Sequence, residues 1–455
     1  MITIGGKDIA DIVIDNKNVV KIQDAITLDI MWQKVEPVVE DFYIENTYNG
    51  SNTITLKTTT GSITITGGHA TQLQYSKDKN NWTTITLSGT NTISMNSGEK
   101  VYFRNNNGYF NWYNDNDSRD CFYTQIKCSY SHKVGGNINS LLDYTNDNVV
   151  FTPYCFYELF YRNTNLVDAS ELIIPETTLA TNCCKNMFYG CSALITPPTL
   201  PATTLADHCY YQMFGGCTSL ASAPALPATT MENYCYAYMF YGCTALTTAP
   251  SLPATSLVNG CYYSMFYGCS SLSQAPTLPA TTLAVDCYRL MFRNCTSLTT
   301  APALPVTTLT SRCYDEMFYG CSSLTTAPVL PATNMETYCY YRMFRDCTSL
   351  VNAPALPSSN LAQMCYGEMF YGCTSLTTAP SLPATSLIQE CYYYMFYNCS
   401  SLNDVTSYAN DISATNCTYA WLGNVASTGT FHNLGTATYQ RNGSGVPSSW
   451  TIVNS

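Results

Sequence analysis

LADHCYYQMFGGCTSLASAPALPATT, residues 205–230, decides how this chain is read, because it returns almost unchanged every 26 residues. Its first cysteine recurs at Cys183, Cys209, Cys235, Cys261, Cys287, Cys313, Cys339, Cys365, Cys391 and Cys417, with a degenerate unit around Cys155. A fixed period of this size marks a solenoid, in which each unit buries its apolar face only against its neighbours. Such an array makes a surface and no deep pocket. It points toward binding and away from catalysis.

Each unit reads in two halves. Thr203 and Thr204 offer hydroxyls for an N-cap ahead of Leu205. Leu205, Cys209, Met213 and Cys217 then fall four apart with Tyr210 and Phe214 beside them, which predicts a helix of roughly two to three turns with one inward stripe. Gly216 sits where a left-handed C-cap is needed. Its equivalents are Gly190, Gly242, Gly268, Gly320, Gly372, Asn294, Asn398 and Asp346, the residue types that best tolerate that conformation. In the second half Leu220 and Leu226 point inward, while Ala-Pro-x-Leu-Pro (223–227) interrupts any long ladder because proline has no amide hydrogen. A very short parallel strand near Leu220 and extended, polyproline-like chain are expected. With coils about 4.8 Å apart, roughly eleven units make a rod on the order of 50 Å long.

The string FYGCTSLTTAPSLPATSL at residues 370–387 resembles the BspA-like class of leucine-rich repeats, which carries an aromatic, a Gly-Cys and a Ser-Leu-Thr in the same order. The resemblance covers about residues 139–423 and departs from the class in its longer unit and doubled proline. It implies an α/β leucine-rich-repeat solenoid on a surface or effector protein that binds host components. The implied fold carries over more firmly than the partner does.

Charge excludes one class of ligand. Lys and Arg number 20 against 31 Asp and Glu, a net charge of −11, so no basic footprint exists for phosphates or nucleic acid. No apolar run is long enough to span a membrane. The start, MITIGGKDIADIVID, lacks the basic and apolar regions of a secretory signal, so folding in a bacterial cytoplasm is expected. The 23 cysteines include pairs spaced eight apart, such as Cys209 and Cys217. Across a helix that spacing spans about 12 Å, beyond the roughly 7 Å Cα limit for a bridge. Two columns of buried, reduced thiols are therefore expected. The missing Cys-x2-Cys spacing argues against zinc, and no cofactor is implied.

Five segments follow: 1–38, a β attachment segment; 39–134, an immunoglobulin-like β-sandwich; 135–154, a linker and N-terminal cap; 155–424, the solenoid; and 425–455, a C-terminal cap. The first, with alternating β-branched residues in 4–12 and 16–22 and closing on Met31-Trp32-Gln33-Lys34, predicts two or three short strands too small to be stable alone. It resembles the N-terminal attachment segments of phage tail and capsid accessory proteins, which implies assembly with other virion proteins through residues 1–35. An ordinary hairpin belonging to the next domain is the plainer reading. In the second segment, strands are expected at 41–44, 53–58, 62–66, 72–76, 82–87, 91–95 and 100–104, with Trp82 in the core. The aromatic tract Tyr109, Phe110, Trp112 and Tyr113 reads as core packing beside a loop, or as a glycan platform.

No nucleotide loop or nucleophile–base pairing is present, so no enzyme is expected. Asp315, Glu316 and Glu368 read as a solvated outer face. The informative positions are those that vary from unit to unit, among them Arg293, Arg342 and Arg345. Tyr189, Tyr241, Tyr267, Tyr319, Tyr371 and Tyr397 form one outward column, with Tyr211, Tyr263, Tyr341 and Tyr393 nearby. These are the candidate ligand-binding residues, since tyrosine gives large amphipathic contact area at low entropy cost. The alternative is that the rings pack on one another. The function expected is a phage tail or capsid fibre that presents its repeats to a host-surface glycan or protein and assembles as a homo-oligomer in the virion. A structural spacer or capsid decoration, and a bacterial cell-surface adhesin, are the alternatives.

Overall fold

A computed structural model describes residues 2–4, 7–9, 12–15, 18–22, 41–60, 72–106, 110–113, 121–146, 149–442 and 445–454. The chain divides into two units, Met1–Val39 and Glu40–Ser455. In the first, β1 (Ile2–Ile4) pairs antiparallel with β2 (Lys7–Ile9), and β3 (Ile12–Asp15) with β4 (Asn18–Ile22). Four strands stand among the described residues where two or three were expected. Met31 to Lys34 lie outside the described residues.

The second unit opens with two sheets. Its first strands are β5 (Phe42–Asn46), β6 (Asn52–Thr60), β7 (Gln72–Ser76), β8 (Thr83–Thr86), β9 (Thr90–Met95) and β10 (Lys100–Arg104). Then follow β11 (Trp112–Tyr113), β12 (Cys121–Cys128), β13 (His132–Asn137), the short helix α1 (Ser140–Asp143) and β14 (Leu166–Ile173). One sheet runs β14-β13-β5-β10-β7-β8, the other β11-β12-β6-β9. Alternation places Phe42, Ile44, Val101 and Phe103 of the first and Ile54, Leu56, Ile93, Phe122 and Ile126 of the second in one buried cluster. The expected strand at 62–66 lies outside the described residues, as does Tyr109. Phe110 is buried, whereas Trp82 is only half-buried, so its expected core position is corrected. Its ring instead lies under the Arg104 guanidinium at 3.7 Å, and its Nε1 donates to the Lys79 carbonyl. The first sheet does not stop at the linker. Parallel pairing of β13 with β14 carries it into the first repeat. Buried His132 ties the same junction, donating from Nδ1 to the Tyr130 carbonyl and accepting from Asn163 at Nε2, 2.9 Å away. Burial pushes its imidazole down to about 4, so it is neutral at ordinary pH.

The helix expected in each repeat is absent. In unit 205–230 the amides of Cys209, Tyr211, Met213, Gly215 and Cys217 each close a turn onto the carbonyl three residues back. The amides between them, of His208, Tyr210, Gln212, Phe214 and Gly216, reach the carbonyls of Asn233, Cys235, Ala237, Met239 and Tyr241 in the next unit at 2.6–3.1 Å. Every fourth residue turns left-handed, with φ of 53° at His208, 55° at Gln212 and 73° at Gly216. The segment is thus a run of turns with a period of four. The sequence signal was there: a helix drifts by about 40° at each four-residue step, but the apolar columns here hold their spacing without drift. The residues read as left-handed caps do take positive φ, at Gly190, Gly242, Gly268, Gly320, Gly372, Asn294, Asn398 and Asp346.

Four residues per turn put columns, one per repeat, into the core. Tyr210, Tyr236, Tyr262, Tyr288, Tyr314, Tyr340, Tyr366 and Tyr392 stack at 5.8–6.2 Å between successive rings. The phenylalanines from Phe160 to Phe396 stack beside them at 5.1–5.8 Å. Every cysteine whose side chain is described is unpaired and buried. The second cysteine of each unit also links units, its Sγ–H donating to a phenylalanine carbonyl of the unit before, as from Cys243 to Phe214 and Cys269 to Phe240 at 3.1 Å. A thiol fills the space of a small apolar side chain while supplying a weak donor. In the second half of each unit, contact with the next narrows to single parallel bridges, such as Ser222 to Thr248 and Thr204 to Thr230. The last coil is closed by the parallel sheet β15 (Asp404–Ser407), β16 (Thr430–Asn433) and β17 (Thr451–Asn454). Trp421 continues the tyrosine stack 6.1 Å from Tyr392 and is itself covered by Tyr439.

Candidate functional site

The turn segment buries two of every four residues and turns the other two outward, so one flank of the stack carries all ten candidate tyrosines. Each is half-buried, less open than a solvent-facing position implies. The cause is the ring on the neighbouring unit. Tyr189 stacks on Tyr161 at 5.2 Å, Tyr241 lies 5.0 Å from Tyr267, and Tyr371 stacks on Tyr397 at 5.2 Å. Where the column holds glycine, the preceding ring folds over the gap. A Cβ on Gly215 would fall 2.9 Å from the Tyr189 ring, and one on Gly423 would fall 2.6 Å from Tyr397.

Arginines complete the column. Arg293 sits between Tyr267 and Tyr319, its guanidinium 5.4 and 4.1 Å from their centroids. Arg345 sits likewise between Tyr319 and Tyr371, at 5.4 and 4.0 Å. Each contact of this kind adds about 0.5–1 kcal/mol where the cation stays partly hydrated. In the adjoining column Arg289 lies over Tyr263, Arg342 over Tyr341, and Tyr393 stacks on Tyr419.

Beneath the arginines lie three carboxylates. Asp315, Glu316 and Glu368 are 2%, 6% and 6% exposed, which corrects their reading as a solvated face. Arg289 Nε lies 2.8 Å from Asp315, and Arg342 bridges Glu316 at 3.3 Å and Glu368 at 3.0 Å. Arg293 pairs with Glu316 and Arg345 with Glu368, while the Tyr341 hydroxyl donates to Glu368 at 3.0 Å. Burial raises the Asp315 carboxyl to about 7 against the opposing pull of Arg289. The same burial, together with the Glu368 charge, pushes the Tyr341 phenol up. Arg293, Arg342 and Arg345 were visible in the sequence as variable positions, and Arg289 occupies the same columns. Their pairing follows from columns that fall in register one unit apart, a signal that a helical reading hides.

The flank therefore offers ring edges, phenolic hydroxyls and guanidinium N–H groups, because most ring faces already meet a neighbour. Among the described residues, no group of three or more His, Cys, Asp or Glu is placed to hold a metal ion. No helix is long and apolar enough to cross a membrane among them.

No curated protein matches the sequence. Among solved structures the chain is similar to a TLR13–ssRNA13 complex, at 12% identity and a TM-score of 0.24, over 64% of this chain. It spans only 40% of that chain, and a likeness this slight carries no argument here. The family comparison is decisive. The model of the BspA type leucine-rich repeat region (6 copies) matches residues 153–273, 236–351 and 312–442, which together run from 153 to 442. Well over half of the chain is covered, and the protein belongs to the BspA-type leucine-rich repeat family.

Proposed function

We propose that this chain is a non-enzymatic recognition protein whose stacked repeats act as a solenoid and bind a host-surface partner along the tyrosine–arginine flank. The observation that carries the reading is the alternation Tyr267, Arg293, Tyr319, Arg345, Tyr371 along one column. Tyrosine and arginine are the residue types enriched where protein interfaces concentrate their energy. Occupied ring faces suit a folded protein surface better than the flat face of a sugar. On this reading the two-sheet region is an immunoglobulin-like spacer, and Met1–Val39 anchors the chain, as a homo-oligomer, in a phage tail or capsid fibre. A bacterial cell-surface adhesin accounts for the repeats equally well. Immunogold labelling of phage particles and of bacterial surfaces separates the two carriers.

The flank itself is tested by replacing Tyr241, Tyr267 and Tyr319 together with serine. The variant is expected to lose attachment to host cells while melting within a few degrees of the parent. Normal attachment by the triple variant leaves the flank as packing and the array as a spacer.

A further inference from the structure

All but two of the charged residues from Cys183 to Cys417 fall in the turn segment or just before it. The thirteen residues that follow the second cysteine hold no Asp, Glu, Lys, Arg or His in eight consecutive units, at 192–204, 218–230, 244–256, 270–282, 296–308, 322–334, 348–360 and 374–386. In a chain of net charge −11, a face this long without a single charge is a chemical specification. Its exposed residues are mostly threonine, serine, alanine and proline, among them Thr247, Thr248, Ala225, Pro227, Thr299 and Thr300, with Ile195, Val329, Val351, Gln274 and Asn352 beside them.

The backbone of this face is open as well. Proline at two positions per unit removes two donors, and the coils part between their bridging points. On Ala225 and Pro227, which face solvent, the Ala225 amide and both carbonyls make no hydrogen bond within the protein, while Leu226 and Ala228 beside them are buried. The same backbone groups are unbonded at 251–254, 277–280, 303–306 and 329–332. The gaps between coils are real grooves. One of about 390 Å³ is lined by Ala225, Pro227, Ser251 and Pro253 among others. Another of about 330 Å³, two units on, is lined by Thr277, Pro279, Ala303 and Pro305.

We infer that this face is a second binding site, distinct from the tyrosine flank, and that it takes a neutral polysaccharide. A charged ligand finds no counter-charge here, and a purely apolar one would strand the open amides and carbonyls, which are costly to bury unpaired. A chain of hydroxyl groups and C–H faces answers both demands. Its hydroxyls donate to the carbonyls and accept from the amides, and its C–H faces lie on proline and alanine. A polymer running along the stack meets the same groups at every unit, so weak contacts sum by avidity. A second copy of the chain is the less apt occupant, since two such faces would bury unpaired backbone groups against each other.

The test uses the full chain against immobilised dextran, mannan and a β-glucan, with heparin as the anionic control. At least one neutral polymer is expected to retain the protein with little dependence on salt, and heparin is not. Ser251→Glu, Thr277→Glu and Ala303→Glu place exposed carboxylates in the two grooves. The triple variant should bind about tenfold more weakly or worse, because a carboxylate is buried without a partner. Its melting temperature should be unchanged. The tyrosine-to-serine variant at positions 241, 267 and 319 should bind the polysaccharide as the parent does, which keeps this site separate from the flank. Retention on none of the neutral polymers overturns the inference, as does equal retention on heparin or an unaffected glutamate variant. A parent that self-associates and a glutamate variant that sediments as a monomer overturn it too, in favour of an interface between copies.

Discussion

At the scale of the residue, the turn segment depends on a conformation most side chains avoid. His208, Gln212, Tyr238, Leu290 and Arg342 all take positive φ, at a cost of about 1–2 kcal/mol for each ordinary L-residue. Bonds to the next unit and two buried neighbours in every four residues offset that strain. Glycine, asparagine and aspartate were legible as left-handed because their side chains advertise it. Leu290 and Tyr238 were not, since only a partner coil makes them adopt it. Asp315 shows the same dependence on context, because its carboxyl rises from 3.8 to about 7 only once the stack has buried it. A group whose folded value is raised contributes stability that is complete below its unfolded value and lost as pH rises through the folded one. The parent should therefore lose thermal stability relative to Asp315→Asn as pH rises from about 4 to about 7. A melting-temperature difference that stays flat across that range would refute the burial argument.

The repeat element was legible in outline and mistaken in kind. Four-residue spacing correctly sorted Cys209, Met213, Cys217, Tyr210 and Phe214 into the core, where all five are fully buried. That sorting holds for a helix and for a run of turns alike, because either brings residues four apart to nearly the same side. The choice between them rests on where the alternate amides go, and those bonds reach 25 residues ahead. No local window contains them. Asp315, Glu316 and Glu368 were misplaced for the same reason, as helical phase put them outward and arginines of other units cover them. Each unit is buttressed only by its neighbours, so damage should stay local. Phe266, packed between Phe240 and Phe292 at 5.7 and 5.6 Å, should cost roughly 3–5 kcal/mol when replaced by alanine. Hydrogen exchange is expected to accelerate in the coils on either side of it and not in the sheets of residues 41–137. Equal loss of protection in both would contradict nearest-neighbour coupling.

Across the whole molecule, the thiols report on integrity. Burial raises the Cys235, Cys321 and Cys365 thiols to about 12, so almost no thiolate is present at neutral pH. Iodoacetamide should leave the native repeat cysteines unmodified. The same reagent in denaturant, without any reductant, should modify nearly all of the 23. Mass spectrometry of the intact chain reads both states, and cysteines that stay blocked in denaturant would show pairing. A further property follows from the amides that pass between units. In the turn segments each such donor lies in one unit and its acceptor in the unit after, from Phe156 donating to Cys183 through to Asn398 donating to Gly423, and the fewer backbone bonds that run back, such as Thr247 to Ala221, all lie in the second half of the unit. Aligned peptide dipoles add, as they do along a helix. The array therefore has a heading, with an electron-rich rim toward the start of the chain and an electron-poor rim toward its finish. Duplicating one whole unit of the gene keeps that heading and every bond across the new seam, so such proteins can lengthen by simple copying. A shift of the reading register by even one residue would break the seam on both sides.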